Sequence, residues 1–394
     1  MDESSSRPRA SERRLIDLLT RGPLTRQQLV ELSGLPARTV AGAANRLVTR
    51  GLLLERPETR GGTVERGRPA MVLSLPPRRA AVGMALLSHR SIRLVYTDMN
   101  GAPLTAVVEK PFHWYECADL ASTVSEQLTQ LLSRTPAVIP TVARIVVGVP
   151  MPYQRGRGVV LLGSQTPRPR LPIDRYPPWV HTDLEVALSK THGITALVEN
   201  DVNLAALGEA DTGAAASSDS SIFLKIGLSL AAGIVVDNQL IRGFFGAAGE
   251  LGHLPVDPSG PICYCGARGC LGTTANAHAL LDSLRPIYGP DLAFADVLAL
   301  AAQGDTNVRR VLNDLGRIVG RALASTMVML NPEMLVIDGA LGPAAVPIIN
   351  GLTEEIARAT PARIGEHLTI RVGELLDRAE LTGAAAVART SINK

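Results

Sequence analysis

Apolar residues recur at helical spacing three times near the start of the chain. In SERRLIDLLTRG, Leu15, Ile16, Leu18 and Leu19 share one face, with Ser11 as N-cap and Gly22 as the stop. LTRQQLVELSGL opens at Thr25 as N-cap, carries Leu29, Val30 and Leu32, and turns at Gly34. A third helix starts near Pro36, with Val40, Ala43, Ala44, Leu47 and Val48 as its buried stripe and Gly51 at its end. Two β-like runs follow, LLLERP and AMVLSLP, on either side of ETRGGTVERGR. Three helices followed by a β-hairpin with a basic tip predict a winged helix-turn-helix over residues 1–77. LPPRRAAVG reads as the junction to the rest.

Beyond residue 78 the period alternates between two and 3.6. AVGMAL, SIRLVYTDMNGAPL (turning at Asn100-Gly101) and AVVEKPF read as strands, and DLASTVSEQLTQLLSRT as an amphipathic helix. VARIVVGVP and ITALVEND are buried strands, the second ending in three polar residues before the helical VNLAALGEA. SIFLKIGLSLAAGIVVDNQLIRG reads as a second hairpin set, VRRVLNDLGRIVGRALASTMVMLNP as a long helix, and EMLVIDGAL as the strand after it. Strands alternating with helices predict an α/β body. GAAASSDSS (213–221) reads as an exposed turn. No uncharged apolar run approaches the roughly 20 residues of a membrane span, and the first residues lack the apolar stretch of a signal peptide. The chain is therefore expected to be soluble and cytoplasmic, with no membrane partner.

Composition refines this. Hydrophobic residues make up 46% and aromatics 3%, so the core is expected to be Ala, Val, Leu and Ile. Charge is unevenly placed. Residues 1–80 hold 15 Arg, no Lys and 8 acidic residues, a net +7, and the remainder nets −4. A basic head on a mildly acidic body points to double-stranded DNA as the head's partner. The third helix would enter the major groove with Arg38, Thr39, Asn45 and Arg46, and Gly42 on the same face would allow close approach. Arg60, Arg66 and Arg68 would form the wing, the last two flanking Gly67 and preceding Pro69 as a rigid tip for a minor groove. The alternative is a winged-helix module used for protein contacts.

Cys263, Cys265 and Cys270 form a C-x-C-x4-C run with Gly266 and Gly269 inside it, and His253 lies ten positions earlier. Short spacing lets thiolates converge on one ion, and Cys3His is a closed four-ligand zinc set. In a reducing compartment metal is favoured over a disulfide. The alternative is three cysteines without metal. Cys117 stands alone, as a core or surface thiol.

VENDVNLAALGEA, FFGAAGELGHLPVD, CYCGARGCLGT and LNPEMLVIDGAL together resemble the ROK family of repressors, unassigned frames and sugar kinases. The resemblance covers residues 80–394. It implies two α/β lobes with a cleft between them, as in the actin-like sugar kinases: lobe one at about 80–199 plus the C-terminal helix, lobe two at about 200–378. It implies structural zinc on His253, Cys263, Cys265 and Cys270, and a sugar site formed by Asn200, Asp201, Glu250 and His253. Asp201 matches the kinases' general base, although at a strand-to-helix junction it also reads as a helix cap.

Departures from the family pattern matter as much. Gly272 stands where the family has a sugar-contacting glutamate, and Met151 stands for a glycine in GVPMPY. The phosphate loop D-x-G-G-T is replaced, with Ala85 for the Asp and Leu87, Ser88 and His89 for Gly-Gly-Thr. GLSLAAG (227–233) lacks the middle glycines of the second phosphate loop, and IDGAL keeps only Gly339 of the adenosine turn. Lost nucleotide elements beside retained sugar and zinc elements predict a regulator rather than an enzyme. That regulator would be a repressor, binding its operator as a homodimer or homotetramer and responding to a carbohydrate or phosphosugar. A ligand-independent regulator with a degenerate site, and an active sugar kinase with a DNA-binding head, are the alternatives.

Overall fold

The computed structural model describes residues 10–19, 22–50, 52–57, 71–75, 80–135, 139–162 and 177–392. The N-terminal unit comprises α1 (Ala10–Leu19), β1 (Leu24–Thr25), α2 (Arg26–Ser33), α3 (Ala37–Thr49), β2 (Leu54–Pro57) and β3 (Met71–Ser74). Its sheet has the order β1-β3-β2, all antiparallel. Leu15, Leu19, Leu29, Val40, Ala43, Ala44, Leu47, Leu53 and Leu73 form one small core. Thr25 caps α2 as the sequence predicts, and Gln28 completes a reciprocal box with it. Ser11 differs from expectation: it lies inside α1, which begins at Ala10.

The first lobe contains β4 (Ala80–Leu87), β5 (Ser91–Asp98), β6 (Val108–Pro111), α4 (Leu120–Ser133), β7 (Thr141–Val149), β8 (Tyr153–Gln154), β9 (Gly158–Val159), α5 (Leu184–His192) and β10 (Ala196–Asn200). After α6 (Asp201–Asp211) the second lobe adds β11 (Ser220–Ile226), β12 (Leu230–Val236), β13 (Gln239–Leu240), α7 (Ala277–Tyr288), α8 (Phe294–Ala302), α9 (Thr306–Leu330), β14 (Met334–Ile337), α10 (Ala345–Ala359), α11 (Ala362–His367) and β15 (Thr369–Val372). The chain ends with α12 (Ala379–Ile392).

The two main sheets repeat one plan. One runs β10-β7-β4-β5-β6 and the other β13-β12-β11-β14-β15. Each is an antiparallel meander of three strands extended by two parallel strands. Every residue of β4 is buried. Its alternate side chains serve two cores: Ala85 and Leu87 face α4 and α5, while Val82, Met84 and Leu86 face α12. The second sheet does the same. Ile222 and Leu224 face the α7–α10 layer, and Phe223 faces α6.

Helices α6 and α12 therefore form a middle layer between the sheets. They cross backbone to backbone. A Cβ on Gly208 would sit 2.0 Å from the Ala379 carbonyl oxygen, and one on Gly383 would sit 1.8 Å from that of Leu204. The stretch after α6 corrects an expectation. Ala214 and Ala215 are buried in the core under α6, and the Ala214 N–H donates to Glu209, so 213–221 is not simply an exposed turn.

Candidate functional site

On α3, Arg38, Thr39 and Asn45 are exposed on one face. Arg46 is tied inward: its Nε donates to the buried Glu12 carboxylate of α1 at 2.7 Å, leaving the guanidinium partly exposed. Arg60, Arg66 and Arg68 lie outside the described residues.

At the carboxyl end of β10 the chain turns directly into α6, which places the buried Asn200 and Asp201 side chains where the first lobe meets β11 of the second. The helix cap is Asn200, not Asp201: the Asn200 side-chain oxygen accepts from the Val202 and Asn203 N–H groups. Its NH2 group is therefore the part available to a ligand. Asp201 is buried, with Oδ1 accepting from the Val202 N–H and Oδ2 accepting from Lys225 Nζ at 2.8 Å. Lys225, on β11, also donates to Glu380 at the start of α12 across 3.1 Å. Burial opposes the Lys225 charge, but Asp201 and Glu380 outweigh it and hold the ammonium above its ordinary range. Glu380 in turn accepts from Arg93. His89, in the exposed turn after β4, feels the Asp201 and Lys225 charges, and partial desolvation, the larger effect, lowers its pKa. Glu250 belongs to the loop entering from the second lobe. Burial, then the nearby Asp201 charge, push its carboxyl up to about 7.

Other cleft residues carry no family signal in the sequence. Arg242, just after β13, donates to buried Glu199 on β10 at 2.7 Å, linking the lobes. Gln154 on β8 donates to the Phe244 carbonyl in the same loop. Lys225 is the third such residue. Only a strand lysine amid apolar neighbours hinted at it.

The cysteine run folds into a compact knot. The ligand atoms of His253, Cys263, Cys265 and Cys270 lie within 4.8 Å of one another. Cys263 Sγ is 3.5 Å from His253 Nδ1, and Cys265 Sγ is 3.6 Å from Cys270 Sγ. Metal bonds of tetrahedral Cys/His sites set ligand edges of about 3.5–3.8 Å, so the donors fit one ion. Gly269 (φ +64°) is required here, since a Cβ would fall 1.6 Å from the Asp257 carbonyl oxygen. Burial, reinforced by Cys265 and Cys263, pushes the Cys270 thiol up to about 12. A bound cation would have to displace the thiol protons, so its affinity would rise with pH. His253 Nε2 lies 2.8 Å from the Tyr264 hydroxyl, so both ring nitrogens have neighbours within the knot. Gly272 follows the knot. A Cβ there would lie 3.0 Å from the Gly252 carbonyl oxygen, so the two loops approach closely where the family glutamate is missing. Cys117 is apart from the knot, with Sγ 3.4 Å from the Thr123 hydroxyl. No helix among the described residues is long and apolar enough to cross a membrane.

Comparisons with known proteins agree with this architecture. The xylose repressor of Bacillus subtilis is 25% identical over 377 residues, covering 95% of this chain and 93% of its own length. The glucokinase of Thermotoga maritima is 30% identical over 261 residues, covering 62% of this chain and 79% of its own. A solved ROK family transcriptional regulator, a homologue of the Escherichia coli MLC protein, superposes with a TM-score of 0.74 at 25% identity, covering 97% of this chain and 96% of its own. The sequence model of the ROK family matches residues 116–391, and the chain belongs to that family.

Proposed function

We propose that this chain is a sugar-responsive transcriptional regulator, acting as a repressor, and not a kinase. The observation that supports the reading is that Glu250 lies near Asp201, whose carboxylate Lys225 engages, on a chain that also has a basic three-helix head. The similarity to a xylose repressor over nearly the whole length supports it. Asn200, Asp201 and Glu250 would bind sugar hydroxyls, with carboxylates accepting and the Asn200 amide donating. His253 would act through the knot, which holds the Glu250 loop.

Arg38, Thr39 and Asn45 would read base edges in the major groove, with Arg46 beside them on α3 held by Glu12 of α1, and Arg60, Arg66 and Arg68 would reach the minor groove. The knot would hold zinc as a closed structural site, and no step of recognition runs through the ion. A homodimer would match a palindromic operator. A second reading, in which the body no longer binds ligand, draws on Gly272.

Fluorescence anisotropy decides between them. Labelled DNA from upstream of the gene is titrated with protein, with and without xylose, glucose and N-acetylglucosamine. Binding that one sugar reverses supports sensing. Binding that none alters supports the ligand-independent reading, and no DNA binding overturns both.

A further inference from the structure

A buried polar joint connects the N-terminal unit to the body, and one helix runs from it to the cleft. At the joint, Arg389 of α12 is almost fully buried and makes three contacts with three different segments. Its Nη2 donates to Asp211 at 2.5 Å, its Nη1 to the Met99 carbonyl at 2.9 Å, and its Nε to the Arg50 carbonyl at 3.3 Å. Arg50, the residue that ends α3, donates to the Asp211 carbonyl at 3.1 Å and pairs with Glu12 of α1 at 3.8 Å. Glu12 also holds Arg46. A chain of charged groups thus runs from the face of α3, through Glu12 and Arg50, to Asp211 and Arg389.

Asp211 is the last residue of α6, and Asp201 is the first. One helix therefore carries the cleft's carboxylate at one end and the joint's carboxylate at the other. Its backbone contact with α12 at Gly208 and Gly383 leaves no room for the two helices to slide independently. Glu380 and Arg389 sit on α12 in the same two places, the first bound to Lys225 and the second to Asp211. The crossed pair can move only as a body, and it touches the cleft and the head at once. The joint also has a second setting within reach. Arg50 Nε is buried without a hydrogen-bond acceptor among the described residues, 4.0 Å from Asp211 Oδ1. A shift of α6 by about 1 Å would bring that pair into hydrogen-bond range.

We infer that Glu12, Arg50, Asp211 and Arg389 form the joint through which the cleft controls the DNA-binding head, with the α6–α12 pair as the moving part. The inference rests on the regulator reading for its effector, but the joint itself is testable without one. Asp211→Asn keeps size and one acceptor while removing the charge. Arg389→Met keeps bulk and removes all three donated bonds. In the full-length protein, hydrogen exchange is expected to rise at least about tenfold in α1 and at the end of α3 in both variants, with the sheets of the body unchanged. Unchanged exchange in α1 and α3 in Asp211→Asn overturns the joint, and so does equal loosening of the whole body.

The second arm measures coupling. The fold-change in affinity for the upstream DNA fragment is measured with and without saturating sugar from the same three-sugar panel. Asp211→Asn is expected to bind the sugar within about threefold of the parent while losing at least about tenfold of that fold-change. Full release of DNA by sugar in the variant overturns the role in coupling. If the parent protein responds to no sugar, the sensing reading falls, and the joint is judged by hydrogen exchange alone.

Discussion

Lys225 Nζ donates to Asp201 Oδ2 across 2.8 Å, and the same ammonium reaches Glu380 at 3.1 Å. A carboxylate held this way can still accept a hydrogen bond from a sugar hydroxyl, but the ammonium competes for the electron pair that a base would use. Lys225→Met should leave Asp201 buried without its partner and cost about 2 kcal/mol of stability, measured by urea unfolding. On the proposed reading as a regulator, it should not release sugar phosphorylation. ATP-dependent turnover in a coupled assay of the variant would show that Lys225 alone suppresses catalysis.

The neighbouring Glu250 tests the sugar site more directly. Glu250→Gln preserves shape and, at a pH above about 7 where the parent carboxyl is ionised, loses only the charged acceptor. It is expected to weaken binding of the effector sugar by about tenfold or more, as for a charge-assisted hydrogen bond. DNA affinity without sugar should be unchanged. Calorimetry on the variant that returned the parent's sugar affinity would remove Glu250 from the site.

For the cysteine knot, Cys265→Ser should abolish stoichiometric metal by elemental analysis and lower the melting temperature, because a closed Cys3His site contributes folding energy. Tyr264→Phe removes only the hydroxyl at His253 Nε2 and should weaken metal affinity by about tenfold. A full zinc complement in Cys265→Ser would mean that the four residues do not act as one site.

Much of this was legible in the chain. The apolar runs AVGMAL and IVVGV announce strands buried on two faces, and Thr25 ahead of an apolar-periodic stretch announces a helix start. The spacing of Cys263, Cys265 and Cys270 foretold a cluster because short loops leave thiols few other places to go. What was not legible depends on long-range pairing. Nothing local to Lys225 indicates that Asp201 and Glu380 will meet it, and nothing near Arg389 indicates Arg50, 339 positions away. Periodicity places Arg46 beside Gly42 on the exposed face of α3. Its ion pair with Glu12 comes from another helix and could not be read from α3 alone. The burial of Ala214 and Ala215 was hidden by their small, polar-looking surroundings.

That difference separates two arginines on one helix. Arg38→Ala should weaken operator binding by about ten- to a hundredfold and relax preference at one base pair, with stability unchanged. Arg46→Ala should instead take the shorter of two ion pairs from the buried Glu12 carboxylate, leaving that with Arg50, and cost about 1 kcal/mol of head stability, whatever the DNA sequence. Asn45→Ala should behave like Arg38→Ala. Thermal unfolding and binding to a set of single-base operator variants read the two effects separately. Equal sequence selectivity in the parent and Arg38→Ala would take Arg38 out of the reading face.

Gly383 carries the last prediction. An alanine there would place its Cβ 1.8 Å from the Leu204 carbonyl oxygen, where only backbone can give way. Overpacking at a buried crossing typically costs about 1–3 kcal/mol, so Gly383→Ala should lower the urea midpoint without changing metal content. Its effect should also reach both ends of α6, because α12 would be pushed off the helix that bears Asp201 and Asp211. Sugar affinity and head protection in hydrogen exchange are therefore expected to fall together. If one fell while the other held, the two helices would not be moving as a unit, and the path from cleft to head would have to run elsewhere.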